Sequence, residues 1–478
     1  MKTSKMPGRG TRPSRRDALQ GLISFGAGLV LDKQATAASA KPVVAYQDLH
    51  VTKTTAGLLG TGRRKTAVWA YNNQIPGPTL RLRQGQPARI VVHNGLDEDT
   101  TVHWHGIRLP NAMDGVPGLT QPPIRPGESF VYEFTPPDAG TFWYHPHADS
   151  LQQLGRGLAG TLIVEERDPF PVDRDLLWAL MDWRLGQDDQ IVPGFGNEME
   201  AGMAGRIGNV LTINGKVSQG EAVRAGEVIR LRMVNTSLAR VMRLAFTDHA
   251  PVIVARDGQP CEPHIAEAGR ILLGPAMRVD LLLEMNGQPG KRYAVTDDFY
   301  EGLGYTLTHL TYSSEQITER VSPRQLPELP RNPLPEPNLA SPIRLAITLQ
   351  GGMMGGVGGM MGMASARATW AINGTSMTGD GHAGMQPLVT LERHKTYLLS
   401  ITNATAWWHP MHLHGLSFLI LARNGEEVPH RQWVDTVLLA PRDIVEVAFV
   451  ADNPGDWMFH CHVIDHQMSG LMTVLRIA

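Results

Sequence analysis

Four pairs of histidines, each pair separated by one residue, carry the most chemistry in this chain: His103 and His105, His145 and His147, His412 and His414, His460 and His462. On an extended strand, residues i and i+2 face the same side, so each pair aims two imidazoles one way. Neutral imidazole suits copper, zinc, iron and nickel, and eight such nitrogens are too many for one ion and reasonable for about three. Cys461 sits between His460 and His462, its side chain directed opposite to theirs. With His409 and His466 it makes a thiolate and two imidazoles, the trigonal set of a blue copper, whose soft sulfur favours one-electron exchange. The thiolate-rich tetrahedral spacing of zinc sites is absent. A short covalent path through Cys461 would join the mononuclear ion to the cluster.

These residues must be held by strands, and the strands repeat. Extended segments ending in asparagine occur at Pro78–Asn94, Ala222–Asn235 and Leu388–Asn403. Each follows a similar turn: Ile75-Pro76-Gly77, Ile213-Asn214-Gly215 or Ile372-Asn373-Gly374. Nine and eleven residues after Asn94 stand His103 and His105, and the same offsets from Asn403 give His412 and His414. From Asn235 they give Leu244 and Phe246. A closing pattern behaves alike. Five and seven residues after Gly140 and Gly455 come the other two histidine pairs, whereas Gly290 leads to Val295 and Asp297. Alternating apolar residues along these segments mark half-buried strands. The expectation is an all-β chain of three Greek-key sandwich domains, at 41–168, 169–330 and 341–478, the middle one without metal ligands. Proline-rich Ser322–Pro342 supplies a linker at 331–340.

The chain of 478 residues is long enough for several domains. Its 50 glycines and 34 prolines fit short strands joined by turns. A formal net charge of −2 gives no sign of a polyanion such as nucleic acid as partner, and none is expected. No apolar run is long enough to span a bilayer. A monomer is expected. Two cysteines cannot make a disulfide framework, and Cys261 reads as an ordinary buried thiol. Residues 1–40 read as a targeting segment. Ser14-Arg15-Arg16-Asp17-Ala18-Leu19 precedes a mild apolar run, and Ala38-Ser39-Ala40 offers small residues for cleavage. This resembles a twin-arginine export signal and implies a periplasmic protein.

His103-Trp104-His105-Gly106, His145-Pro146-His147, His409-Pro410-Met411-His412-Leu413-His414 and His460-Cys461-His462 with His466 resemble the four copper motifs of the multicopper oxidases, which include laccases and bacterial cuprous oxidases. The resemblance covers essentially the whole chain beyond the leader. It implies three cupredoxin domains and four coppers that couple one-electron oxidation of a donor to reduction of O2 to water. It implies type 1 copper on His409, Cys461 and His466, and type 2 copper on His103 and His412. The type 3 pair would be held by His105, His145 and His462 and by His147, His414 and His460. A non-enzymatic envelope protein on the same fold would lack these ligands.

Departures from the family pattern carry their own expectations. The axial position ten residues after the cysteine holds Leu471. A non-coordinating side chain there favours Cu(I) and raises the type 1 potential, unless Met468 or Met472 bulges in. Asp114, in an Asp-Gly turn, matches the family's acidic residue near the cluster, where O2 reduction consumes protons. Gln467 stands where many bacterial relatives carry a second acid. Asp465 is the substitute, or else a solvated strand residue. Met353, Met354, Met360, Met361 and Met363 lie among glycines. Thioethers select Cu(I), so this segment resembles the methionine-rich region of cuprous oxidases, with Met199 and Met203 as further candidates. The donor is therefore Cu(I), a phenol, or both. His50, His249, His264 and His382 read as ordinary, internally satisfied histidines.

Overall fold

Side-chain alternation decides the sheets. In the strand Gly77–Arg83, Leu80 and Leu82 are buried while Arg81 and Arg83 face solvent, the period of two that a half-buried strand requires. The computed structural model describes residues 45–316, 328–353, 369–379 and 382–478. The leader, with its export motif, lies outside the described residues.

The described chain forms three cupredoxin-like domains. Two four-stranded sheets make the first, a six- and a five-stranded sheet the second, and a six- and a five-stranded sheet with a small two-stranded one the third. The repeat is visible in the pairing. Ala45–Ala56 runs parallel to Ala88–Asn94, Arg174–Trp183 to Val228–Asn235, and Ile343–Gly351 to Thr396–Asn403. Each second strand then pairs antiparallel with the next long strand: Ser129–Phe134, Arg278–Glu284 or Ile444–Val450.

The asparagine that ends each repeat has a structural task. Its Nδ2 donates to two carbonyls of the following loops: Glu98 and Ile124 for Asn94, Arg240 and Leu273 for Asn235, Trp407 and Ala440 for Asn403. Its Oδ1 accepts from the backbone N–H two residues on, at Leu96, Ser237 or Thr405. These Asx turns fix where the histidine strands begin.

The histidine strands then pair in matching register. His103 lies opposite His145, and His412 opposite His460. In the middle domain Leu244 lies opposite Asp297 and Phe246 opposite Val295, a shift of two residues. One contiguous apolar cluster runs from the first domain (Leu49, Val92, Phe142) into the third (Ile401, Phe459, Cys461). The middle domain has its own cluster around Ile253, Leu281 and Val295. The stretch read as a linker is not loose where it is described. Asn332 donates to the carbonyl of Ala139 at 2.8 Å and accepts from its N–H at 2.9 Å. No helix among the described residues is long and apolar enough to cross a membrane.

Candidate metal centre

Eight imidazoles from the two outer domains converge in one buried volume. His103 stacks on His414 with ring centroids 3.9 Å apart, and His105 on His412 at 3.7 Å. The ring of His147 lies 5.3 Å from that of His460, and His145 5.0 Å from His462. All eight are 1 % exposed or less. Burial, reinforced by the neighbouring imidazoles, pushes the ring pKa values well below the ordinary histidine value at His105, His145, His147, His414, His460 and His462. The rings are therefore neutral, the form that ligates metal.

Hydrogen bonds settle which nitrogen is free on five of these rings. His103 Nδ1 donates to the carbonyl of Asp114 at 2.8 Å, His412 Nδ1 to that of Asp435 at 2.9 Å, and His105 Nε2 to Oδ1 of Asp435 at 3.1 Å. Their other nitrogens, His103 Nε2, His412 Nε2 and His105 Nδ1, are buried without a partner. His414 Nδ1 donates to Asp114 Oδ2 at 2.9 Å and His460 Nδ1 to the Cys461 carbonyl at 3.0 Å, so their Nε2 lone pairs face each other 3.0 Å apart. Orphaned buried nitrogens and opposed lone pairs cost free energy unless a cation lies between them. Groups of three nitrogens within 4.8 Å of one another occur at His147, His414 and His460, at His103, His412 and His414, and at His103, His105 and His145.

The second site is equally built. Cys461 Sγ lies 3.5 Å from His409 Nδ1 and 3.7 Å from His466 Nδ1, and those two nitrogens are 3.1 Å apart. His466 Nε2 donates to the carbonyl of Met203 at 2.7 Å. Burial lowers His466 to about 3 and pushes the Cys461 thiol up, so a bound ion must displace the thiol proton. Trp370, fully buried, packs its indole 4.3 Å from His466 and 4.9 Å from His409. Leu471 is buried in the same apolar cluster as Cys461, whereas Met472 packs with Val116 and Met458. Met468 lines a surface groove.

The structure corrects two of the readings above. Asp465 is not a solvated strand residue: it is 1 % exposed in the short helix Ile464–Met468, with Oδ2 accepting from the N–H of Arg206 at 2.7 Å. His382 is not internally satisfied. Its Nδ1 reaches the Pro117 carbonyl, but Nε2 is buried without a partner, and the ring lies 6.2 Å from that of His147. Asp435, Arg278, Thr405 and Trp370 escaped the sequence reading altogether, because no spacing relates them to the motifs. Met353 is described, while Met354, Met360, Met361 and Met363 lie outside the described residues.

Three family profiles, each described as multicopper oxidase, match residues 51–169, 176–314 and 360–478. A solved multicopper oxidase from Pseudomonas thermotolerans is 35% identical, covers 91% of this chain and 100% of its own, and superposes with a TM-score of 0.81. Multicopper oxidase MmcO of Mycobacterium tuberculosis is 29% identical over 85% of this chain and 82% of its own length. A solved multicopper oxidase from Campylobacter jejuni, described as a metallo-oxidase, is 25% identical over 91% of both chains, with a TM-score of 0.75. With the histidine-strand registers and the two ligand clusters, these matches place the chain among the multicopper oxidases, enzymes that carry type 1, type 2 and type 3 copper.

Proposed function

We propose that this multicopper oxidase is a cuprous oxidase of copper tolerance with laccase-like activity, exported to the periplasm by its twin-arginine-type leader. In this reading the type 1 ligands are His409, Cys461 and His466, with Leu471 at the axial position. His103 and His412 hold type 2 copper. His105, His145 and His462 hold one type 3 ion, and His147, His414 and His460 the other. The domain bounds are 41–168, 169–330 and 341–478. When bound, copper supplies single-electron acceptance and the reduction of O2 to water.

The protein's own groups do the rest. Asp114 holds His103 and His414 through its carbonyl and carboxylate, and stands where protons are consumed. Cys461 joins the two sites through its backbone to His460 and His462.

One observation supports Cu(I) as donor: a thioether-lined groove beside the type 1 ligands. The groove, of about 950 Å³, is lined by Met353, Met468, Asp149 and Glu198 among others. Exposed Met199 lies in the adjoining helix Glu198–Ala201. Soft thioether sulfur suits Cu(I). Phe195 in the same groove, with Arg156 and Arg206 over its ring, favours a second reading, oxidation of phenols.

The test is steady-state oxygen consumption by copper-reconstituted protein, with Cu(I) and with a phenol. Replacing Met353, Met354, Met360, Met361 and Met363 by leucine should cut Cu(I) turnover and spare phenol turnover. Equal loss of both removes the role assigned to the segment. A fully metallated preparation that never consumes oxygen removes the oxidase reading.

A further inference from the structure

The middle domain supplies none of the assigned copper ligands, yet its Arg278 is fully buried where the three domains meet. The guanidinium closes on the carboxylate of Asp435 in the third domain: Nη1 donates to Oδ1 at 2.8 Å and Nη2 to Oδ2 at 2.5 Å. The same group donates from Nε to the Thr141 carbonyl of the first domain at 3.2 Å and from Nη2 to the Asp257 carbonyl at 2.9 Å. Nη1 also reaches the Ala276 carbonyl at 3.3 Å. The Asp257 carboxylate in turn accepts from the backbone N–H groups of Asp435 and Thr436, at 3.3 and 3.0 Å. The segment 435–436 is thus gripped by the middle domain at both side chain and backbone.

That segment is what fixes two ligand rings from different domains. Asp435 Oδ1 accepts from His105 Nε2, and the Asp435 carbonyl accepts from His412 Nδ1. Each ring thereby turns its other nitrogen, the orphaned one, into the cluster. The approach leaves no slack. A Cβ on Gly106, which has φ +86°, would lie 2.3 Å from Arg278 Nη2 and 2.5 Å from Asp435 Oδ2.

We propose that Arg278 is a positioning residue for the copper cluster, orienting Asp435 so that His105 and His412 present Nδ1 and Nε2 to their ions. This rests on the ligand assignment made above. A planar fork that binds both carboxylate oxygens fixes orientation in a way a lysine ammonium cannot. Groups that hold ligand imidazoles from behind typically matter by 10–100-fold in metal affinity.

The experiment compares the full chain with Arg278→Lys and Asp435→Asn, each reconstituted with copper. Three quantities are read: copper per chain, the type 2 signal in electron paramagnetic resonance, and the blue absorption of the Cys461 site. The expected result is unchanged blue absorption with a weakened or altered type 2 signal. Copper at that site should be lost to chelator at roughly 10–100-fold lower concentration. If Arg278→Lys does not fold, Asp435→Asn, which removes charge at constant volume, decides by the same signals. Full copper and an unaltered type 2 signal in the variants that fold overturn the proposal. So does parallel loss of the blue band, or failure of both to fold, since Arg278 would then serve the fold at large. An unmodified chain that shows no type 2 signal would instead sink the ligand assignment.

Discussion

Thr405 Oγ1 lies 2.9 Å from His409 Nε2 and 2.7 Å from Oδ1 of Asn403. An amide oxygen can only accept, so the hydroxyl proton goes to Asn403 and the threonine oxygen accepts from His409 Nε2–H. That leaves Nδ1 of His409 bare toward Cys461 Sγ. The asparagine that closes the third repeat therefore sets, through one hydroxyl, the tautomer of an imidazole in the His409–Cys461–His466 cluster.

Thr405→Val keeps the side-chain shape and removes the acceptor. The buried His409 N–H is then orphaned, which costs about 1–3 kcal/mol, and the ring is free to rotate. Calorimetry of the metal-free protein should show the lower Tm, and the blue band should shift or weaken. An unchanged Tm with an unchanged absorption maximum would contradict this account of the hydroxyl.

Leu471→Met tests the axial position. Leu471 is fully buried in the cluster that contains Cys461, and its carbonyl accepts from the Cys461 N–H at 3.0 Å. A Leu-to-Met exchange nearly conserves volume and should cost less than about 1.5 kcal/mol. Cu(II) gains more than Cu(I) from a fourth, axial ligand whatever that ligand's softness, and the axial ligand tunes the potential of such a site, so the type 1 potential should fall. Redox titration of the blue band reads it directly. A potential that stays put or rises means the side chain at 471 does not reach the ion.

Asp114→Ala separates proton delivery from electron acceptance. The residue is 1 % exposed, and on the cluster side its carbonyl accepts from His103 and its carboxylate from His414. Anaerobic bleaching of the blue band by a donor should keep its rate. Oxygen consumption should fall by about 100-fold or more, the usual scale for losing a positioned acid or base. If both rates fall together, Asp114 holds the fold rather than the reaction.

Some of this site could be read from spacing and some could not. His103, His105, His412 and His414 were legible because strand period and repeat offset are both local in sequence. The opposition of His103 to His145 and of His412 to His460 emerges only from the strand pairing. Asp435 and Arg278 are 157 residues apart, and the bond between them depends on how domains dock, for which the chain has no period. The same holds for His382: only docking against Pro117 and His147 removes it from ordinary surface chemistry. The terminal asparagines were noticed as a mark of the repeat, but their Asx turns became clear only with the partner carbonyls in place.

The imidazoles also predict how the protein behaves without metal. Burial holds His466 at about 3 and His382 at about 4, against an unfolded value near 6.5. Between those limits the unfolded chain binds protons that the folded chain refuses. Stability from these groups is therefore full above pH 6.5 and is lost as pH falls below it. Each such histidine contributes about 1.4 kcal/mol per pH unit in that window, or about 2 kcal/mol by pH 5. Chelator-treated protein should show Tm falling steeply from pH 6.5 to 5. Copper-loaded protein should resist over the same range, because an ion on His466 competes with the proton there. Parallel Tm profiles for the two forms would mean that the buried rings are not what acid attacks.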